Sequence, residues 1–479
     1  MMWILALSVV AVFVIYSFHW ILIMLNSNNI KLPPGSMGFP LIGETIQFLI
    51  PSYSVDIHPF VKQRMLRFGP IFRTSLFGQP VVITTDEEFN KFLIREEGKT
   101  VEIWLGPLAK VFLPGEEDTH LLESDFIKYV RQIILSHVGI ENIREKLLPQ
   151  MEHFCSETLR NWSTKTSIEV QHSSANLVLE LFGKHYFGYD PEKLTENEKV
   201  PQSFINFFGD GLLSIPLDIP GTTFHTCKKD SQKIYKLLKN VMEERRKSQE
   251  KHRGDFLDQL IKDMGAEHPM NEDQVIYFIV GIWVATFLTN STILAIIFNF
   301  LSDHPSAIEE LRVEHEDILK NRDGSSSSLT WHEYKSMKFT QHVINEALRY
   351  SIIFPGLLRK ALKDIPINGY TIPAGWMILV ATPTLHVNPE VYKDPLAFNP
   401  WRWKDLDSAT VSNYFKPFGG GMRQCPGAEI SRAFLATFIH VLVTKYRFTK
   451  VRGGRIVRDP MLGFRGGVHI KIWEKPVHN

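Results

Sequence analysis

Residues 418–427 read Phe-Gly-Gly-Gly-Met-Arg-Gln-Cys-Pro-Gly, and no other stretch limits the possible folds of this chain as tightly. A glycine-rich bend delivers one cysteine, Cys425, and a helix pattern (Ala428 to Tyr446) begins directly behind it. A cysteine at a helix N-terminus sees unpaired backbone N–H groups and the positive end of the helix dipole, and both favour the thiolate. Glycines without side chains let the backbone pass close to a large flat object. Arg423 adds a positive charge suited to a carboxylate. A haem, with an iron that takes a cysteine thiolate and with anionic propionates, is the object that fits.

The rest of the composition narrows the class. The chain has 479 residues, 44% hydrophobic and 22% charged, which excludes disorder as its main state. Lys plus Arg is 53 against 52 for Asp plus Glu, a net charge of +1, so no basic excess points to nucleic acid. The three cysteines, Cys155, Cys227 and Cys425, form no C-x-x-C pair and no disulfide framework. There is no Walker loop and no G-x-S-x-G, and His315-Glu316 and His332-Glu333 lack the second His of a zincin.

Trp3 to Leu25 is apolar except for Ser8, Tyr16, Ser17 and His19. As a helix it spans roughly 34 Å at ~1.5 Å per residue, enough for a bilayer core. A cleaved secretory signal would carry a charged residue ahead of a shorter apolar run, and none is present. The first positive charges after it are Lys31, Lys62, Arg64 and Arg67, which place the body on the cytosolic side. Leu32-Pro33-Pro34-Gly35 then makes a stiff break. The expected organisation is a membrane anchor over 1–26, a linker with a Pro-rich hinge over 27–40, and one domain over 41–479.

Within that domain, Ile71–Phe77 and Val81–Thr85 read as a hairpin turning at Gly78 and Pro80. Glu87 to about Lys320 is mostly helical in pattern, with breaks at Gly115–Asp118, Ser163–Ser167 and Ser214–Thr223. Leu237–Arg253 reads as an amphipathic helix whose Glu-Arg-Arg-Lys run is a solvated face. Asn271 caps a helix running to about Ser302, apolar almost all round from Val275 to Leu288, as a buried central helix is. Ile365–Ala381 and Tyr446–Trp473 return to strand. The expected class is mainly α with small β-sheets near both ends.

The cysteine segment resembles the haem-binding loop of the cytochrome P-450 family, F-x-x-G-x-R-x-C-x-G, at every fixed position: Phe418, Gly421, Arg423, Cys425 and Gly427. Two further segments agree in the right order. Glu346-Ala347-Leu348-Arg349 puts acid and base on one helix face, and Phe398-Asn399-Pro400-Trp401-Arg402-Trp403 supplies a second arginine. The resemblance covers nearly the whole chain from Leu32 onward. It implies the P-450 fold, haem b on Cys425, and a structural Glu346–Arg349–Arg402 cluster. It also implies a monooxygenase fed with electrons from NADPH by a flavoprotein reductase, anchored by a single pass in the endoplasmic reticulum membrane with its catalytic domain cytosolic. For the propionates it points to Lys128, Arg131, Arg359 and Arg423. Lys128, Lys416, Arg432 and Lys445 are expected on the reductase-docking face.

The chain departs from the family on the long helix. Where the family has an acid followed by Thr-Thr, this chain reads Leu288-Thr289-Asn290. Thr289 keeps the hydroxyl expected to act in catalysis, but Leu288 cannot relay a proton. Near the first propionate site, Ile127 replaces the family's Trp or His four residues before Arg131. Stretches such as Gly369-Tyr370-Thr371-Ile372-Pro373 resemble the plant branch that oxidises sterols, triterpenoids and brassinosteroids. The pocket implied by that likeness includes Trp104, Phe208, Ala285, Leu288, Phe354, Leu357 and Phe464, a lining suited to a large apolar scaffold. Hydroxylation or oxidation of a triterpenoid or sterol is the leading expectation. Leu288 leaves two others open: a haem-thiolate side-chain lyase or isomerase without net oxygen insertion, and a haem-binding protein without turnover.

Overall fold

A computed structural model describes residues 10–11, 13–18, 31–40, 42–104, 124–196, 198–207, 218–247, 250, 253–264, 270–322, 328–351, 356–459 and 461–476. Residues 10–11 and 13–18 are helical with exposed apolar side chains, among them Val10, Phe13, Val14 and Ile15. Most of the expected anchor, and the expected break at Gly115–Asp118, lie outside the described residues.

Helix α1 (Pro59–Phe68) leads into β1 (Ile71–Leu76) and β2 (Gln79–Thr84), antiparallel with Ile71 opposite Thr84. The turn takes both Phe77 (φ 53°) and Gly78 (φ 74°) into the left-handed region, which the twist of a two-residue hairpin requires. Helix α2 (Glu87–Arg95) and β3 (Val101–Ile103) follow. Then come α3 (Ser124–Val138), α4 (Leu148–Ser163), the two-residue β4 (Ile168–Glu169), α5 (Val170–Phe187), α6 (Thr223–Lys247) and α7 (Phe256–Asp263). The long helix α8 (Glu272–Asp303) is followed by α9 (Pro305–Lys320) and α10 (Lys338–Tyr350). Strands β5 (Leu357–Ala361), β6 (Ile365–Ile367), β7 (Tyr370–Ile372) and β8 (Met377–Val380) precede α11 (Ala428–Lys445), β9 (Tyr446–Asp459) and β10 (Met461–Glu474).

The first sheet has the order β1-β2-β8-β5-β3, with β8 parallel to β2, and the second has the order β4-β10-β9. Strands β6 and β7 form a separate hairpin through Asn368 and Gly369, both at positive φ. The mainly helical reading with sheets near both ends matches this architecture.

One large apolar core surrounds α8 and α11. Helix α8 begins with a capping box, in which the Asn271 side chain accepts from Gln274 N while the Gln274 side chain accepts from Asn271 N. It is the one described helix long and apolar enough to cross a membrane, but it is mostly buried inside the protein. Trp283 shows why: its ring meets Phe187 edge-on and its Nε1 donates to Leu179 O at 2.7 Å.

Two sequence expectations are corrected. Helix α6 begins at Thr223, well before Leu237, and ends at Lys247. Its basic run is not wholly solvated, because Arg245 is buried. Arg245 donates to both oxygens of Asp255, to Asp258 Oδ1 (2.8 Å) and to Phe187 O (2.7 Å). Those partners arrive from α5 and α7, so the charge pattern of α6 alone could not reveal them.

Candidate functional site

The bend before α11 is held from several sides. Gly421 has φ +64°, and a Cβ there would lie 2.8 Å from Ile94 Cγ2 and 2.9 Å from Ile94 O. The bend therefore packs directly on α2, at a distance only glycine permits. Cys425 N donates to Phe418 O (2.9 Å), closing the loop. On its other side, Arg131 of α3 donates to Gln424 O.

Cys155 and Cys227 are buried, whereas Cys425 is exposed. Cys425 lines a cavity of about 290 Å³ together with Thr289, Ile293, Leu357, Arg359, Phe418, Gly419, Gly420 and Arg423. The protein packed around the thiol pushes its pKa up, and the Gly427 N–H and the Arg131 charge only partly oppose this. The lowering expected from the helix terminus alone is therefore outweighed by burial in the protein without a metal.

The structure thus brings Thr289, Leu357, Arg359, Phe418, Arg423 and Cys425 to one cavity. The Thr289 hydroxyl donates to Ala285 O (2.8 Å), one turn back on α8, so Ala285 and Thr289 share the helix face toward that cavity. Gly427 stands behind the cysteine, where a Cβ would lie 3.8 Å from Cys425 Sγ. Trp104 packs against the apolar cluster of the first sheet and donates N–H to Leu358 O.

Other expected residues lie elsewhere. Leu288 and Phe464 line a second cavity of about 300 Å³, with Phe287, Ser291, Glu169, Gln171 and His172. One residue along an α-helix turns the side chain by about 100°, which takes Leu288 off the face that carries Thr289. Lys128 is exposed on α3. Arg131 lines a third cavity of about 740 Å³ with Gln424, Cys425, Pro426 and Glu429. Of the residues expected on the docking face, Lys445 is exposed, whereas Arg432 turns toward α10 and donates to Asn345 Oδ1 (2.7 Å). Phe208 and Phe354 lie outside the described residues.

Glu346, Arg349 and Arg402 meet in one network, in which Glu346 and Arg349 are fully buried. Glu346 Oε1 accepts from Arg349 Nη2 (2.8 Å), Arg402 Nε (3.2 Å) and Asn399 N (3.0 Å). Its Oε2 accepts from Arg349 Nε (3.0 Å) and Trp403 Nε1 (2.9 Å). Burial works against the Arg349 charge, but its bonds to Glu346 more than offset that and raise its pKa. Arg349 also donates to His386 O (2.8 Å), and His386 Nε2 accepts from Lys416 N (2.9 Å), two residues before Phe418. The network is thereby coupled to the cysteine bend through His386, a link the sequence did not signal.

Sequence reasoning also missed Glu97. It is buried, with Oε1 2.9 Å from Arg423 Nε and Oε2 2.5 Å from Arg359 Nε. Nothing in Glu96-Glu97-Gly98 distinguishes this acid from its exposed-patterned neighbour. A haem fits what surrounds the cavity. One thiol faces it, glycines leave the bend open beside it, and two buried guanidiniums share a single carboxylate, which leaves positive charge for propionates.

A profile of the family described as cytochrome P450 matches residues 33–464. The chain is 46% identical over 477 residues to the cucurbitadienol 11-hydroxylase of Siraitia grosvenorii, covering 99% of this chain and 100% of that protein. It is 44% identical to the beta-amyrin 16-alpha-hydroxylase of Maesa lanceolata over the same shares. The solved structure of the retinoic acid bound cyanobacterial CYP120A1 superposes with a TM-score of 0.78 at 22% identity, over 93% of this chain and 100% of that one. Fold and cavity together define a haem-thiolate oxidoreductase. The chain belongs to the cytochrome P450 family, whose fold binds haem b through an axial cysteine thiolate, and it is a monooxygenase of that family.

Proposed function

We propose that this monooxygenase hydroxylates a triterpenoid or sterol scaffold, taking electrons from NADPH through a flavoprotein reductase. The observation that carries the reading is the single cavity in which Cys425 and Thr289 meet, in a chain more than 40% identical along its length to two triterpenoid hydroxylases. Cys425 would ligate the iron, and Arg359 and Arg423 would hold the propionates. Haem b, when bound, would supply the activation of dioxygen, from which the inserted oxygen atom comes. The protein's part is to exclude water, orient the substrate and move protons. Leu357, Ile293 and Phe418 give the cavity apolar walls. The Thr289 hydroxyl, donating to Ala285 O, keeps its oxygen lone pairs for a water or a substrate hydroxyl.

Membrane attachment belongs to the same proposal: an anchor over 1–26, a hinge over 27–40, a cytosolic domain over 41–479 and residence in the endoplasmic reticulum. The exposed apolar side chains among residues 10–11 and 13–18 support it, as do Phe39 at the end of the hinge and Ile42, Ile46 and Ile50 just beyond it, all exposed. The test is co-expression with a reductase in a host making triterpene and sterol scaffolds, with mass spectrometry of products formed under isotope-labelled dioxygen. Labelled hydroxyl in a triterpenoid or sterol is the expected result. A product formed without label would instead favour the isomerase or lyase chemistry that Leu288 leaves open. NADPH consumption with no product from any scaffold would refute the proposal.

A further inference from the structure

We infer that Glu97 is a positioning residue for the cofactor: it presents Arg359 and Arg423 to the haem propionates and tunes the charge the haem experiences. The inference rests on the haem assignment above.

The two arginines come from unrelated segments, Arg359 from the middle of β5 and Arg423 from the cysteine bend. Both side chains line the cavity, and both are gripped by Glu97 from the α2 side. The side chains of Arg359, Arg423 and Glu97 are 6%, 10% and 1% exposed, so water screens little of their interaction. Two guanidiniums crowded together without an anion would repel and splay. One carboxylate, giving one oxygen to each Nε, fixes both stems and leaves the trio one positive charge in excess. A haem brings two propionates, so Glu97 satisfies the orientation of the arginines without cancelling their attraction for the cofactor.

The backbone holds Glu97 in place independently. After α2 the chain turns through Gly98 (φ +78°), with Gly98 N donating to Val101 O at 2.7 Å and Thr100 N to Glu96 O at 3.0 Å. Strand β3 then pairs with β5, setting Ile103 opposite Arg359. On the other flank, Ile94 receives Gly421 with no space for a Cβ. Glu97 therefore sits where α2, the first sheet and the cysteine bend converge. A carboxylate meant only to tie α2 to the sheet would need one arginine, whereas this one bridges two that share a cavity.

The test uses the full-length haem-loaded protein with two substitutions. Glu97→Gln removes the charge at nearly constant shape. We expect haem transfer to apomyoglobin to speed up about tenfold, as befits loss of the charge-assisted hydrogen bond to Arg423 and of the ion pair with Arg359, and the haem reduction potential to rise because a nearby negative charge is gone. Glu97→Asp keeps the charge but draws it back by one methylene. It should release haem faster than the parent while leaving the potential near the parental value. Parental release rates in both variants, or an unchanged potential in Glu97→Gln, overturn the inference. Should the Gln variant not accumulate, the release rate of Glu97→Asp decides alone, and a parental rate overturns the inference. Failure of the haem assignment itself would show separately, as absence of the thiolate-type ferrous carbonyl spectrum in the parent.

Discussion

Replacing Glu346 by Ala should cost most of the stability of the fold. Glu346 and Arg349 are completely buried, and the carboxylate takes five hydrogen bonds from four residues. Its removal leaves the Arg349 charge enclosed with no counter-charge, facing the His386 and Pro395 carbonyls and the Tyr350 and Tyr392 rings. It also orphans the Asn399 N–H and the Trp403 indole N–H. Breaking one side of a buried ion pair costs about 3–5 kcal/mol, and each buried neutral donor left without a partner about 1–3 kcal/mol more. Against a total stability of about 5–15 kcal/mol, the Ala variant should be mostly unfolded at physiological temperature. Because His386 connects Arg349 to Lys416, the haem environment should fail first. The assay is denaturant unfolding followed in parallel by far-ultraviolet circular dichroism and haem absorbance. A loss below about 1 kcal/mol, typical of an exposed pair, refutes the argument.

Burial holds the pKa of His386 down to about 3, with Nε2 accepting from Lys416 N and Nδ1 facing Arg349 O. The folded state keeps this ring neutral, whereas the unfolded chain protonates it near 6.5. Its contribution is therefore complete above pH 6.5 and is lost as pH falls from there toward 3, by roughly 4–5 kcal/mol in all. His386→Gln should flatten the acid limb of a stability-versus-pH curve, and an unchanged slope would contradict this. Leu288→Asp puts an acid next to Thr289 along α8 and should raise product formed per NADPH if proton supply limits the reaction; equal coupling rejects the idea. Thr289→Ala should divert electrons to peroxide while Thr289→Ser largely restores coupling, and equal peroxide yields in both would remove the hydroxyl from the mechanism. Cys425→Ser should abolish the thiolate-type ferrous carbonyl spectrum, and its persistence would unseat Cys425 as the ligand.

Local patterns carried a great deal here. The glycine bend, Cys425 and the helix behind it form one contiguous segment, so sequence order alone fixed their arrangement. Asn271 announced the start of α8, and Gly78 announced the first hairpin, because caps and turns depend on neighbouring residues. Relations between distant segments were set only by packing. Which face of α8 meets the cavity was decided by the helices and strands around it, and that sends Leu288 to a different space from Thr289. The side-by-side placement of β2 and β8 is equally non-local. The acid at 97 and the guanidinium at 245 look like ordinary surface charges in the sequence. Periodicity records which side of an element is apolar, but a buried charge is tolerated only if its counter-charge arrives from elsewhere in the chain, and only the folded structure delivers it.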